Sequence, residues 1–200
     1  DLSSPNTTDD LTITVNDAVT VAQGNTIAKA TTNAAVDFSA AGVNDAFTNM
    51  LNGNAVHASL TQIVTKDADV KIVISDTIEN ATADNITQLN AVGNITTGIV
   101  QATIDGNAAE LDDLTANGTQ SGTCTYTITV DDVATVAQGK KIVDATSVAT
   151  VDFSAAGLSD TVLAMSAANG TIETNLTDIK NKDGDIAITV TNVVNIAQGA

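Results

Sequence analysis

Aromatic residues are scarce in this sequence, which has no Trp, one Tyr and three Phe among its 200 residues. Apolar residues nevertheless make up 43% of the chain, enough for a sizeable core. That core must be built from Val, Ile, Leu and Ala, whose small side chains suit thin, regular layers better than one large globular centre. The same aliphatic content excludes a typical disordered chain, which lacks the apolar surface needed to offset its ordering entropy.

Basic residues are also few, with 7 Lys and Arg against 24 acidic residues and a formal net charge of −17. A surface of this sign repels phosphate backbones, so the composition excludes nucleic acid as a partner. No stretch is long and apolar enough to span a bilayer, and we expect no membrane insertion. Nearly all the acids are Asp, whose short side chain suits turns and oxygen-ligand cation sites.

Cysteine and histidine occur once each, as Cys124 and His57. A single cysteine cannot form an internal disulfide, and we expect Cys124 to be a small buried residue in a strand. His57 has no second His and no Cys nearby, which argues against a metal or catalytic role. The sequence also lacks a Gly-x-Ser-x-Gly elbow and a Gly-rich phosphate loop. Its carboxylates recur at repeated positions, whereas catalysis usually needs one asymmetric site, so we predict that the protein is not an enzyme.

Internal repetition is the strongest signal in the sequence. Four β-branched motifs recur along the chain: Ile13–Asp17, Ile72–Asp76, Ile128–Asp132 and Ile188–Asn192. A longer block, Val-Asp-Phe-Ser-Ala-Ala-Gly, occurs at residues 36–42 and again at 151–157. On this basis the chain divides into five parts: residues 1–11 as an N-terminal lead-in, 12–70 as repeat 1, 71–126 as repeat 2, 127–186 as repeat 3 and 187–200 as a partial repeat 4.

Each repeat predicts a strand, a short helix, a second strand, a second helix and a connector. The Ile-Thr-Val and Ile-Val-Ile runs are short and β-branched, as strands are. Asp17 and Asp132 stand where the N-cap of the first helix belongs. We expect the glycine of the following Ala-Gln-Gly sequence to interrupt or end that helix. This glycine occurs at Gly24, Gly139 and Gly199.

The second helix is predicted by one apolar stripe at helical spacing. In the first repeat its members are Val43, Ala46, Phe47, Met50 and Leu51. The aligned positions hold Leu111 and Leu114 in the second repeat, and Leu158, Val162 and Met165 in the third. Because apolar character persists where residue identity does not, we expect this stripe to be a buried face.

Alternating short strands and helices favour an α/β fold with parallel strands joined by crossovers. Repetition of that unit predicts a repeat solenoid of short parallel strands and short helices. Each unit would bury its apolar face mainly against its neighbours. A β-solenoid with degenerate helices is the alternative.

Paired carboxylates provide candidate calcium ligands, because carboxylate and carbonyl oxygens hold hard cations well. Asp67 and Asp69 form one pair, and Asp183 and Asp185 form another, each just before a strand. Turn-forming, solvated Asp is the alternative interpretation, and there is no EF-hand loop. Asn-x-Ser/Thr sequons also provide glycosylation candidates. They begin at Asn6, Asn80, Asn85, Asn94, Asn117, Asn169 and Asn175.

The sequence of residues 128–138, followed by Ala-Thr-x-x-x-x-Val-Asp-Phe-Ser at 145–154, resembles repeat modules of very large secreted bacterial surface proteins. These are the adhesin-like and S-layer-like proteins familiar from cyanobacteria, often associated with haemolysin-type calcium-binding proteins. The resemblance covers most of residues 11–200. It implies export to the cell surface and a role in coats, filaments or attachment.

From repeats, charge and resemblance together we expect a structural subunit or segment of an extracellular filament, sheath or surface layer built by stacking repeats. Its partners would be copies of itself or adjoining repeats of a longer chain, and calcium is the one candidate cofactor. The alternative is an adhesin stalk or a surface- or carbohydrate-binding module, although few aromatics are present for stacking on sugars. Ice or mineral binding by Thr rows is less favoured, because the sequence has no strict Thr-x-Thr array on every turn.

Overall fold

The computed structural model describes residues 12–30, 35–38, 41–148, 150–153, 157–167 and 170–192. Over these ranges the protein is a mixed α/β structure of short strands and short helices. The strands are β1 (Thr12–Thr14), β2 (Ala35–Asp37), β3 (Val43–Asp45), β4 (Leu51–Asn52), β5 (Ala55–Val56), β6 (Ile72–Ile78), β7 (Ile99–Gly106), β8 (Thr123–Val130), β9 (Val151–Asp152), β10 (Leu158–Asp160) and β11 (Ile188–Val190). The α-helices are α1 (Val21–Ala30), α2 (Ala58–Lys66), α3 (Ala83–Ile95), α4 (Ala108–Leu111), α5 (Val136–Asp144), α6 (Val162–Met165) and α7 (Thr174–Lys182).

The central element is a five-stranded parallel sheet in the order β3-β6-β7-β8-β9. Two further parallel pairs, β1 with β2 and β10 with β11, lie outside it, and β4 and β5 form an antiparallel hairpin. Apart from that hairpin, strands that pair within the described ranges follow one another along the chain. A parallel pair needs a crossover connection, and helices occupy these connections. The predicted α/β fold with parallel strands joined by crossovers is therefore confirmed.

The parallel pairings join residues at a nearly constant distance along the sequence. The shortest separation is 23 positions, for Thr12 with Ala35, and the longest is 30 positions, for Leu158 with Ile188. Isolated bridges extend the pattern, since Val19 pairs in parallel with Val43. Every strand of a parallel pair therefore meets a partner that is one helical connection away.

One face of the sheet is buried and the other is exposed. In β8, Cys124, Tyr126, Ile128 and Val130 are completely buried, and the four Thr residues that alternate with them lie on the opposite face. The buried positions of β7 alternate in the same way. This period-two pattern is that of a strand with one face on the core. Burial of Cys124 in a strand is as predicted.

The core is one contiguous cluster dominated by aliphatic side chains. All four aromatic residues of the sequence belong to it, although they are too few to fill it: Phe38, Phe47, Phe153 and Tyr126 are each 5% exposed or less. Among the described residues, no helix has both the length and the apolar character needed to cross a membrane.

The helix predicted from the stripe at Val43 is wrong. Val43 lies in β3, Phe47–Met50 form a single 3-10 turn, and Leu51 begins β4. In the third repeat, Leu158 likewise lies in a strand and Val162–Met165 form one helical turn. Burial follows the prediction in part, since Val43, Phe47 and Met50 are 5% exposed or less, while Ala46 and Leu51 are half-buried. A strand end followed by one helical turn can therefore bury residues at the same spacing as a regular helix.

The first helix is present, but its glycine does not interrupt or end it. Gly24 lies inside α1 and Gly139 inside α5, whereas Gly199 lies outside the described residues. A Cβ atom on Gly24 would lie 2.6 Å from Cδ1 of Ile63 in α2. On Gly139 it would lie 2.9 Å from Cδ1 of Ile179 in α7. These glycines therefore permit close packing between neighbouring helices.

Candidate functional site

The most regular feature of the structure is a type of hydrogen bond in which a side chain joins two consecutive segments of the chain. A segment here is a helical connection together with the strand to which it leads. Oδ2 of Asp45, the last residue of β3, accepts a hydrogen bond from the backbone N–H of Val21, the first residue of α1, at 2.9 Å. Oδ2 of Asp160 accepts one from the N–H of Val136, the first residue of α5, at 3.1 Å. In each case the acceptor ends the second strand after the helix and lies 24 positions beyond the donor along the chain.

Two further helices and the 3-10 turn at Phe47 begin with the same type of bond. The donor is the first residue of the helix, and the acceptor is an Asp or Asn close to the next strand of the ladder. The pairs are Phe47 with Asp76 at 2.7 Å, Ala108 with Asp132 at 2.7 Å and Val162 with Asn192 at 2.9 Å. We call these five bonds the cross-segment caps.

Cross-segment caps satisfy a physical need of helix starts. The first four N–H groups of a helix have no partner within the helix. A carboxylate at that end also interacts favourably with the partial positive charge of the helix dipole. Each capping side chain therefore stabilises a helix of the preceding segment while belonging to the next one.

The predicted N-cap role of Asp132 is wrong for its own helix. The residue that caps α5 is Thr135, whose Oγ1 accepts the N–H of Gln138 while the Gln138 side chain bonds back to Thr135. Thr20 and Gln23 form the same reciprocal capping box at α1, so Asp17 is not the cap there. Asp132 instead caps α4 in the preceding segment, across 24 positions.

Two of the candidate calcium ligands are buried and partnered with backbone. Asp67, 8% exposed, follows α2 and accepts the N–H of Phe38 at 2.6 Å through Oδ2. Asp183, 6% exposed, follows α7 and accepts the N–H of Phe153 at 2.7 Å. Both bonds reach across about one segment, 29 and 30 positions respectively.

Burial and a neighbouring carboxylate shift the acidity of these residues. Burial is the main cause that raises the pKa of Asp67, to about 6, and a hydrogen bond with the Asp69 side chain raises it further. The N–H of Phe38 acts in the opposite direction, because it stabilises the charged form. The pKa of Asp183 is raised for the same reasons, with Asp185 as its neighbour. In each pair the buried Asp therefore holds its proton more tightly than an exposed Asp does.

Each pair alone would supply only part of a calcium shell. Calcium takes six to eight oxygen ligands, and one oxygen of Asp67 is already occupied by the N–H of Phe38. Within the described ranges, no group of three or more His, Cys, Asp or Glu is arranged to hold a metal ion. Calcium binding by Asp67 with Asp69, or by Asp183 with Asp185, stays a prediction that needs carbonyl or water oxygens as further ligands.

The single His and Cys have local structural partners. Nδ1 of His57 accepts the N–H of Ser59 at 3.1 Å, so this residue is the N-cap of α2. The thiol of Cys124 lies 3.0 Å from Oε1 of Gln120, to which it donates a hydrogen bond. Burial raises the pKa of Cys124, which disfavours the reactive thiolate.

The sequons lie in different environments. Asn80 is exposed in a turn with positive φ, and Asn94 is exposed on α3. Asn85 and Asn117 accept backbone hydrogen bonds, from Thr82 and Cys124, and Asn175 is half-buried in α7. Asn6 and Asn169 lie outside the described residues.

A groove lies beside α7 and β11. It has a volume of about 660 Å³ and is lined in part by the apolar residues Ile172, Leu176, Ile186 and Ile188. Ile172 and Ile188 are 69% and 44% exposed, which is unusual for side chains of this size.

The capping carboxylates Asp45 and Asp160 were not predicted from the sequence. The signal that marks them is their spacing: they lie 115 positions apart, as do the two Val-Asp-Phe-Ser blocks, and each follows an apolar residue that begins a strand.

Comparisons of the chain with protein-family models, with curated proteins and with solved structures find no match.

Proposed function

We propose that the protein is a structural subunit or segment of an extracellular filament, sheath or surface layer, built by stacking repeats. The observation that supports this most strongly is the set of cross-segment caps. A segment whose helix starts are satisfied by the next segment is more stable in a stack than alone. The same dependence between neighbours is typical of solenoid proteins.

The stacking contacts recur at one spacing along the chain. The bond between Asp45 and Val21 has its counterpart at Asp160 and Val136, 115 positions later. Positive φ also recurs, at Gly42 and 115 positions later at Gly157. We infer a solenoid whose structural unit has about 115 residues and spans two of the predicted repeats.

Strand pairing agrees with this longer unit. Ile13 pairs with Val36, and its counterpart Ile128 pairs with Val151. Ile72 pairs with Val43 of β3, and Ile188 pairs with Leu158 of β10, which lies 115 positions after Val43. Both pairings of the first half of the chain therefore have a counterpart about 115 positions later.

The charge of the chain suits an extracellular assembly that depends on cations. A net charge of −17 makes close approach of two copies unfavourable unless salt screens it or divalent cations bridge it. We therefore propose that calcium or another divalent cation promotes assembly, at the cell surface to which the resemblance to secreted surface proteins points.

Electron microscopy of the purified chain tests the structural role. We expect ordered fibres or sheets at high concentration with salt or calcium, and few at low ionic strength. Fibre diffraction should show a reflection near 4.8 Å along the stacking direction, which is the spacing of neighbouring strands. A chain that stays monomeric under all these conditions, without ordered particles, would contradict the proposal.

A surface-binding role is the second candidate, and the exposed face of the sheet favours it. Thr123 and Thr127 of β8 are exposed on this face, and Thr103 of β7 lies next to Thr127 in register. All four aromatic side chains are buried, so a polysaccharide would be held by hydroxyl groups and not by ring stacking. Binding to insoluble polysaccharide that is lost in Thr103→Lys and Thr127→Lys would favour this role over the first.

A further inference from the structure

Three Asn-Gly dipeptides occur in this sequence, at residues 52–53, 117–118 and 169–170. In such a dipeptide the main-chain nitrogen of the glycine can attack Cγ of the asparagine, which closes a succinimide ring and releases ammonia. Water then opens the ring at either carbonyl and gives aspartate or isoaspartate. Glycine favours this attack because it has no Cβ to obstruct it and few limits on its backbone conformation. Each dipeptide is therefore a candidate site of spontaneous modification.

The first dipeptide lies at the tip of the β4–β5 hairpin, where Asn52 and Gly53 are both exposed. Gly53 has a φ of 60°, as the first central residue of a type II′ turn requires. Among the described residues, no group forms a hydrogen bond with the Asn52 side chain or with the N–H of Gly53. The two strands are only two residues long, and so short a hairpin opens at low cost.

Helix α3 holds the tip of this hairpin through groups that do not react. Nε2 of Gln88 donates a hydrogen bond to the Gly53 carbonyl at 3.3 Å and another to Oδ1 of Asn54 at 3.2 Å. The reacting atoms are Cγ of Asn52 and the nitrogen of Gly53, and neither takes part in these bonds. Isoaspartate would add a methylene group to the main chain directly before Gly53. Both acceptors of Gln88 would then be displaced.

The second dipeptide has the same chemistry in a restrained setting. Oδ1 of Asn117 accepts the N–H of Cys124 at 3.0 Å, and the N–H of Asn117 donates to the Asp144 carbonyl at 2.7 Å. Asn117 is also half-buried. Its Cγ can turn towards Gly118 only if the bond to Cys124 in β8 breaks. Asn169, in the third dipeptide, lies outside the described residues.

We propose that Asn52 is a site of spontaneous modification, converted through a succinimide with Gly53 to aspartate and isoaspartate in the folded protein, while Asn117 is protected. The net reaction consumes water and releases ammonia, and it requires no partner molecule. It adds a negative charge at the hairpin tip and weakens the contact of the hairpin with α3. The reaction does not depend on the proposed stacking function.

Incubation of the purified chain in mildly alkaline buffer, with and without urea, compares the two sites directly. Peptide mass mapping locates each conversion of amide to acid, and enzymatic methylation detects isoaspartate. In the folded chain Asn52 should react at least about tenfold faster than Asn117, because the fold restrains only Asn117. In urea the two rates should agree within about threefold, since both dipeptides are then part of an open chain.

Asn52→Gln is the matched variant, because it keeps an amide at this position but must close a larger ring that forms more slowly. Its residue 52 should stay unmodified under the same conditions. After incubation the unchanged chain should have a lower urea midpoint than incubated Asn52→Gln. Gln88→Ala should lose less stability on incubation than the unchanged chain, because it already lacks the contact between α3 and the hairpin.

Other outcomes overturn the proposal in distinguishable ways. Equal, slow rates at Asn52 and Asn117 in the folded chain would show that the hairpin is as well restrained as the start of β8. Aspartate without isoaspartate at residue 52 would show direct hydrolysis of the amide and overturn the succinimide route. An unchanged urea midpoint after complete conversion of Asn52 would overturn the effect on α3 and leave the modification site standing.

Discussion

Oδ1 of Asp132 accepts the backbone N–H of Ala108 at 2.7 Å, although the two residues are 24 positions apart. Ala108 is the first residue of α4, and Asp132 follows β8, the next strand of the sheet. The bond therefore joins the start of α4 to the end of β8, the strand to which α4 leads. Its recurrence at four other helix starts makes it the defining contact between neighbouring segments.

Removal of a cross-segment cap should destabilise the protein. We expect Asp45→Ala to lower the free energy of unfolding by about 1 kcal/mol, since the N–H of Val21 loses its acceptor. Asp45→Asn should cost less, because Asn192 performs the same role at Val162. Urea unfolding followed by circular dichroism measures both values. Asp113→Ala, at an exposed Asp outside the caps, should change stability by less than about 0.5 kcal/mol.

The Asp45 carboxylate should also make the stability of the protein depend on pH in the acid range. Burial alone would raise the pKa of Asp45, but hydrogen bonds from the Asn49 side chain and from the N–H groups of Val21 and Ala46 lower it overall. A lowered pKa in the folded state means that this group stabilises the fold above its ordinary pKa and stops doing so as the pH falls. The stability difference between the unchanged chain and Asp45→Asn should therefore shrink below about pH 4. A constant difference down to about pH 2 would contradict this role.

Asp67 should make the stability of the protein depend on pH in the opposite direction. Its pKa in the fold, about 6, lies above the ordinary value of 3.8, so the folded state binds a proton more tightly than the unfolded state. Its contribution to stability is greatest below pH 3.8 and is lost as the pH rises through about 6. Asp67→Asn keeps an acceptor for Phe38 but cannot titrate, and should remove this part of the pH dependence.

The measurement for Asp67 is the difference in urea midpoint between the unchanged chain and Asp67→Asn, at several values from about pH 4 to about pH 7. The unchanged chain should lose stability relative to the variant as the pH rises. Asp69→Asn is a second variant, which should lower the pKa of Asp67 by removing its neighbouring carboxylate. Parallel curves for all three proteins would show that Asp67 has an ordinary pKa.

Close helix packing at Gly24 should make this position intolerant of a side chain. Gly24→Ala gains up to about 1 kcal/mol in helix propensity, but the added Cβ would lie 2.6 Å from Cδ1 of Ile63. Since overpacking costs about 1–3 kcal/mol, we expect net destabilisation. Ile63→Val removes Cδ1, so the double variant should be more stable than the two single changes predict by addition. Gly184→Ala, where no atom lies within 4 Å of the added Cβ, is the control.

Burial of Cys124 should protect its thiol. A thiol reagent reacts with the thiolate, and burial both raises the pKa of Cys124 and excludes the reagent. Labelling in the folded protein should be at least about a hundredfold slower than in urea, because it requires local opening of β8. Thr123→Cys combined with Cys124→Ala moves the thiol to the exposed face and should label rapidly. Fast labelling of the unchanged chain would show that β8 opens readily.

The sequence predicts strands better than it predicts the contacts between them. The Ile-Thr-Val motif at Ile128 identifies a strand because β-branched residues and period-two burial act locally. The stripe at Val43 misleads, since a strand end and one helical turn bury residues at the spacing of a helix. The sequence predicts Asp132 as the N-cap of the helix that follows it, whereas its partner, Ala108, lies 24 positions earlier in the chain. Such a bond depends on which strands are neighbours, and no local pattern carries that information.

The nearly constant separation of 23 to 30 positions between paired strand residues affects how this chain folds. The entropy lost in closing each loop is similar for every pairing, and it does not grow when further segments are added. Relative contact order therefore falls as such an array becomes longer, in contrast to sheets that bring distant parts of a chain together. A nucleus can form at any adjacent pair of segments and spread in both directions, so long arrays need not fold more slowly than short ones.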